Sequence, residues 1–292
     1  MNDTVYGYNK YDRRVEWVLN NKMTVIVDNT PYNGLSGEWG LSILVEHDGK
    51  NILVDAGASC LFVENMKALG KNIADVDYGV LSHAHYDHAN GIPRFFEENK
   101  KSKFYLRETT AENCYAKKFI FKKYIGIPKK MTKNYSDRIE YVSGDYKLCE
   151  GAYLIPHKTP GLEKIGQREL MYQKTKDGWK PDNFSHEQSL VFETDKGLVI
   201  INSCSHGGAV NIINEVKQTF PDKHIYGLIG GFHLFNKSEE EVKNVAQNIL
   251  DTGIDYVCTG HCTKDRAYGI MKEILGDRLQ QLHVGLVVDF NI

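Results

Sequence analysis

Short apolar, β-branched runs broken by turn signals dominate the first third of the chain. Residues 23–28 form one such run, which stops at the turn Asn29-Thr30-Pro31. Residues 41–46 and 51–55 flank His47-Asp48-Gly49-Lys50, a pattern that predicts a β-hairpin. Helical spacing follows over residues 61–69, and residues 78–81 predict a further strand. In the second half, residues 225–229 and 254–258 read as strands. Between them Ser238 and Glu241 form a capping box that opens a helix. Strands alternating with helices indicate α/β layers.

The hairpin pattern occurs twice. Ser42-Ile43-Leu44-Val45-Glu46-His47-Asp48 lies without a gap over Ser189-Leu190-Val191-Phe192-Glu193-Thr194-Asp195. In the same register Ile52-Leu53-Val54-Asp55 falls over Val199-Ile200-Ile201-Asn202. A helical pattern follows each copy, the second over residues 209–216. These matches predict one domain over residues 1–292, made of two similar β-then-α halves.

A chain of 292 residues is long enough to bury a sizeable core. The net charge of −2 excludes a protein that coats nucleic acid or membrane as a whole. No apolar run approaches the roughly 20 residues that span a bilayer. The start, from Met1 to Arg14, is polar and lacks a signal-peptide core, so a cytoplasmic location is the default expectation. Six cysteines are too sparse for a disulfide scaffold and are expected as thiols.

Candidate chemistry is concentrated directly after the run 78–81. His83-Ala84-His85-Tyr86-Asp87-His88 places three imidazoles and a carboxylate in one short turn. Imidazole and carboxylate suit zinc, iron or manganese. Later predicted strands end in His233 and in His261-Cys262, and the second hairpin ends in Cys204-Ser205-His206. Ligands from both halves could therefore meet along one sheet edge. His47, His157, His224 and His283 lack ligand-rich surroundings and are expected to be ordinary turn, surface or core residues.

One segment departs from the overall charge balance. Between Arg94 and Lys133 stand twelve Lys/Arg against four Glu, a local balance of +8, interleaved with aromatics. Residues 92–150 are expected to form a basic helical insertion near the cluster. It would be either a solvated helix pair or an electropositive wall that draws in an anionic substrate.

His83, His85, Asp87 and His88 match the His-x-His-x-Asp-His signature, and the chain resembles the metallo-β-lactamase superfamily. Asp55-Ala56-Gly57, Asn202-Ser203-Cys204 and Gly260-His261 are matching companions. The resemblance is strongest to the dihydropteroate-synthase-like, or ribofuranosylaminobenzene-phosphate-synthase-like, branch. It rests there on Gly37-Glu38-Trp39-Gly40-Leu41-Ser42, Cys204-Ser205-His206-Gly207-Gly208, Gly230-Gly231-Phe232-His233-Leu234 and Gly260-His261-Cys262-Thr263.

The resemblance implies a four-layer αββα sandwich with one or two divalent metals, zinc first and iron or manganese as alternatives. His83 and His85 would hold the first metal, and Asp87, His88 and His261 the second. Where most of the superfamily has a bridging Asp this chain has Cys204, a further candidate ligand, while His206 is the preferred extra one. His186 is the candidate for the usual third histidine of the first metal, or else caps the following strand or contacts substrate, and is read with His233 as substrate-contacting; His233 could instead support the ligands. Metal-activated water, oriented by the catalytic Asp87, would then hydrolyse an ester or phosphoester of an anionic small molecule. The chain lacks the inserted domain of nucleic-acid-processing relatives, which argues against a nucleic-acid partner. A non-catalytic ligand sensor and an iron-dependent redox protein are the rival readings.

Overall fold

The computed structural model describes residues 21–291; the polar start and the final residue lie outside the described residues. In chain order the first strands are β1 (Asn21–Val27), β2 (Ser42–His47), β3 (Lys50–Val54), β4 (Tyr78–Val80), β5 (Phe104–Arg107), β6 (Cys114–Lys118), β7 (Phe121–Tyr124), β8 (Ile139–Val142) and β9 (Tyr146–Cys149). They are followed by β10 (Ala152–Pro156), β11 (Met171–Thr175), β12 (Gly178–Pro181), β13 (Gln188–Thr194), β14 (Gly197–Ile201), β15 (Ile225–Gly230), β16 (Tyr256–Thr259), β17 (Leu279–Gln281) and β18 (Val287–Asp289). One seven-stranded sheet runs β18-β1-β2-β3-β4-β5-β8 and a second runs β17-β16-β15-β14-β13-β10-β9.

Both sheets are buried on two faces, which explains why their strands read as continuous apolar runs. Val25, Ile43, Val45, Ile52 and Val54 of the first sheet share an inner core with Leu190, Phe192, Val199 and Ile201 of the second. The alternate positions Leu44 and Leu53 point outward, onto Phe62 and Phe95 of the helices Leu61–Ala68 and Ile92–Glu98. Val191, Leu198 and Ile200 cover the helices Ala209–Thr219, Glu239–Asp251 and Lys264–Leu275 in the same way. The result is the expected αββα sandwich.

The internal repeat is present residue for residue. Ile43 pairs with Val54 in the first hairpin, and their counterparts Leu190 and Ile201 pair in the second. In each half the hairpin's second strand then pairs in parallel with the strand beyond the helix, β3 with β4 and β14 with β15. The shared serine closes both copies. Ser42 Oγ donates to the Asp55 carbonyl at 2.8 Å, and Asn202 Nδ2 donates to Ser189 Oγ at 2.9 Å. Asp48 and Gly49, with φ of 45° and 71°, make the tight hairpin turn that the sequence indicates. The capping box of Ser238 and Glu241 also forms.

The expected basic helical insertion over 92–150 is not what forms. Apart from Ile92–Glu98 and the single turn Met131–Asn134, the regular structure of the segment is strand, joined by turns and loops. β5 and β8 complete the first sheet, while β6 and β7 join β11 and β12 in a separate four-stranded sheet. Lys117, Lys118, Lys122 and Lys123, expected within a helix pair, instead flank the turn of a hairpin at which Phe119, Ile120 and Phe121 are exposed. Clustered aromatic and β-forming residues favour the pleated conformation here over the helical one.

Candidate metal centre

The sheets deliver their chemistry at one edge. Asp55 follows β3, His83 to His88 follow β4, Cys204 to His206 follow β14, His233 follows β15 and His261 follows β16. These strands pair in parallel as β3-β4 and β14-β15-β16, so their carboxyl ends share an edge. Asp55, Ser205, His233 and His261 all have positive φ, between 47° and 60°. Backbone strain of this kind concentrates where side chains are held in a set geometry.

Two groups of donors meet there. His83, Cys204 and His206 place one ligand atom each within 4.8 Å of one another, as do His88, Cys204 and His261. Cys204 belongs to both groups and sits between them, 3.2 Å by its Sγ from His88 Nε2. The ring of His85 lies 4.6 Å from that of His83 and 4.9 Å from that of His206. Asp87 Oδ2 is 3.7 Å from His88 Nε2 and 3.6 Å from His261 Nε2. Nε2 of His83, His85 and His261 and both ring nitrogens of His206 are buried and have no hydrogen-bond partner among the described residues. Unpaired buried polar atoms are costly, and so many aimed at one place fit a cation.

The electrostatics favour ligand-ready forms of His83, His85, His206 and Asp87. Burial, followed by neighbouring imidazoles, holds His83 and His206 well below the usual histidine range. The same causes push His85 down to about 4, so these rings are neutral at neutral pH. Burial works against ionisation of Asp87, but His88 and His261 outweigh it and keep the carboxylate charged. His88 goes the other way: burial is overcome by Asp87 and Asp55, and its pKa rises to about 9.

A supporting layer fixes the donors. Asp55 is fully buried, and its Oδ2 accepts from Ser82 Oγ at 2.6 Å and lies 2.8 Å from His88 Nδ1. This contact turns His88 Nε2 toward Cys204 and Asp87. Asp55→Asn is expected to weaken metal affinity by roughly 10–100-fold with the fold retained, as read by competition against a chelating dye. Glu187 accepts the backbone N–H groups of His206 and Gly207 at 3.0 Å each. The ring of Phe184 stacks on that of His206 at 4.9 Å.

His186 differs from its expected substrate-contacting place. Its Nδ1 accepts from the Ala84 N–H at 3.2 Å, and its Nε2 donates to Asp182 Oδ2 at 3.2 Å. It is buried with Cys114 and Asp182 beside His85, and neither of the two cavities at this edge includes it in its lining. His233 lines a cavity of about 170 Å³ together with Trp39, Asp87, Cys204 and His206. No lysine or arginine lines that cavity among the described residues; its contacts with the basic segment are Ala116 and Ile125. Lys122 instead lies over the rings of Trp179 and Tyr172, and Lys129 over that of Tyr124.

Several contributors were not singled out from the sequence. Cys262, whose Sγ lies 3.5 Å from that of Cys204, was flagged only by its neighbouring histidine. Glu187, Asp182 and Cys114 carried no signal, because their roles come from contacts across the fold. His157, expected to be ordinary, is buried between Glu187 and Glu215.

Residues 40–210, more than half of the chain, match the metallo-beta-lactamase superfamily. The chain is 28% identical, over 91% of its length and 95% of the relative's, to a protein of Methanocaldococcus jannaschii named 7,8-dihydropterin-6-methyl-4-(beta-D-ribofuranosyl)-aminobenzene-5'-phosphate synthase. Among solved structures, Tm1679, described as a metal-dependent hydrolase of the beta-lactamase superfamily, superposes with a TM-score of 0.78 at 26% identity. That match covers 93% of this chain and 100% of the other. YhfI of Bacillus subtilis, a metallo-beta-lactamase fold protein, shares the fold at a TM-score of 0.56 and 12% identity, over 93% and 99% of the two chains. The αββα sandwich, the histidine-rich edge and these matches agree: the chain belongs to the metallo-beta-lactamase superfamily.

Proposed function

We propose that this protein is a metal-dependent hydrolase that cleaves an ester or phosphoester bond of an anionic small molecule. The observation that carries the reading is the set of buried, unpartnered nitrogens on His83, His85, His206 and His261, gathered around Cys204 and Asp87. His83, His85 and His206 would hold one divalent metal. Asp87, His88 and His261 would hold a second, with Cys204 between the two positions. The mixture of imidazole, carboxylate and thiolate favours zinc, with iron next. A bound metal supplies Lewis acidity and makes a water molecule acidic enough to react near neutral pH.

The chain's own residues then orient the reaction. Asp87, kept ionised, accepts a hydrogen bond from the attacking water and directs it. His233 Nδ1, buried and unpartnered beside the His206 ring, would contact the substrate. Trp39, Tyr86 and Phe235 line the cavity and limit the access of bulk water. No helix among the described residues is long and apolar enough to cross a membrane. The six cysteines are all free thiols, which suits a reducing, cytoplasmic setting.

Metal analysis of the purified chain, followed by a screen of phosphoesters, lactones and thioesters on that preparation, tests the reading. One or two zinc ions per chain and chelator-sensitive turnover are expected. Tight ligand binding without product would make the protein a sensor, and iron with oxygen consumption would make it a redox protein. A second reading draws on the methanogen relative, whose name is that of a synthase. Displacement of a leaving group from an activated dihydropterin-6-methyl donor by a ribofuranosyl-aminobenzene phosphate, with that group released and no ester hydrolysed, would favour it.

A further inference from the structure

The metal cavity is adjoined at His206 and His233 by a second cavity of about 240 Å³. We propose that this second cavity is an oxyanion subsite that takes a phosphate group of the substrate while the reacting bond lies over the histidine cluster. The proposal deepens the hydrolase reading and rests on it for the direction of the substrate.

The cavity is floored by the start of the helix Ala209–Thr219, since Gly208 and Ala209 line it. The Gly208 carbonyl accepts from Ile212, so the preceding N–H groups of Ala209, Val210 and Asn211 have no acceptor within the helix. Gly208, at φ of 96°, places no side-chain cap over them. Exposed helix-start amides with a positive dipole end are suited to a phosphate.

A second observation points to the same ligand. Ser205 lines the cavity and is 2% exposed, and its hydroxyl has no hydrogen-bond partner among the described residues. It is a buried donor left unsatisfied beside unsatisfied amides.

The charged groups of the lining agree with this assignment. Lys237 Nζ donates to Glu169 Oε1, and Arg168 Nε donates to the same oxygen at 3.1 Å. An ammonium has three donors and a guanidinium five, so both cations keep donors for an anion. The two carboxylates in the lining balance these cations in formal charge. Glu169 accepts from Lys237, Arg168 and Asn236, and Glu241 Oε2 accepts from the N–H and hydroxyl of Ser238. The case for an oxyanion therefore rests on the free donors of Ser205 and the helix start, with the spare N–H groups of Lys237 and Arg168 beside them. Ile165, Phe232 and Val245 provide apolar wall for the rest of the molecule.

Titration calorimetry of inorganic phosphate into the metal-loaded protein tests the subsite. Ser205→Ala combined with Lys237→Gln is expected to weaken phosphate binding at least tenfold with metal content unchanged. Arg168→Glu reverses a charge at an exposed side chain of the lining, repels an anion, and should abolish binding in a protein that still folds. Unaltered phosphate affinity in Arg168→Glu would overturn the proposal. So would binding that disappears with a chelator yet survives both substitutions, because the phosphate would then sit on the metal. If the chain binds no metal the hydrolase reading fails, and the same titration on the metal-free protein still decides the subsite.

Discussion

Asp87→Ala and His83→Ala each lower turnover by at least about a thousandfold, roughly 4 kcal/mol of lost transition-state stabilisation, while leaving the fold intact. The fold survives because neither side chain belongs to the sandwich core. His83 leaves only a 2.9 Å contact of its Nδ1 with Ser82, and its Nε2 makes none. The two variants should differ in stoichiometry. His83→Ala empties the position shared with His85 and His206, whereas Asp87→Ala empties the one shared with His88 and His261. Thermal melts give a readout independent of activity. At zinc a thousandfold above its dissociation constant the wild-type protein gains about 4 kcal/mol, and each variant gains less. Full turnover by either variant stripped of metal would sink the reading.

The part of the molecule that was legible in the sequence is the part encoded locally. The hairpin repeat could be aligned because apolar classes recur at fixed positions, and pairs such as Ile43–Val54 and Leu190–Ile201 keep that register. The histidine cluster stood out because four donors follow a single strand. His206 and His261 were singled out because each lies in the connection that follows a predicted strand, and strand ends are what the topology brings together. The basic segment failed for the opposite reason. Its strands β6 and β7 are short, and β11, the other partner of β6, lies far along the chain, so the charged and aromatic composition was read as helical. His186 was judged by its place before a predicted strand, and its contacts with Asp182 and Ala84 depend on packing that no local pattern records. Glu187 was invisible for the same reason.

Glu187→Ala is expected to be the most destabilising of the substitutions considered, at roughly 3–5 kcal/mol. Glu187 is fully buried and ties three elements together. Its oxygens accept the N–H groups of His206 and Gly207, and Oε2 also pairs with His157 Nε2. His157 Nδ1 lies 3.0 Å from Glu215 Oε2, and Glu215 Oε1 in turn accepts from Lys158 and Thr159. Alanine would leave two N–H groups unsatisfied and a buried cation with half its counter-charge. The melting temperature should fall by roughly 10 °C. Metal affinity should fall with it, because the loop that presents Cys204 and His206 loses its anchor. A pH series separates the ion pair from simple packing. Burial opposes the charge on His157, but Glu187 and Glu215 overcome it and raise the pKa from 6.5 to about 9. The stabilisation from this charge is therefore complete below about pH 6.5 and is lost as the pH rises through about 9. Denaturant unfolding of the wild-type protein should show a decline over that window, on the order of 3 kcal/mol. Glu187→Gln keeps the shape and removes the charge, so its profile should be flatter. Parallel profiles for the two proteins would mean that His157 is held by packing and that Glu187 positions the loop through its backbone contacts alone.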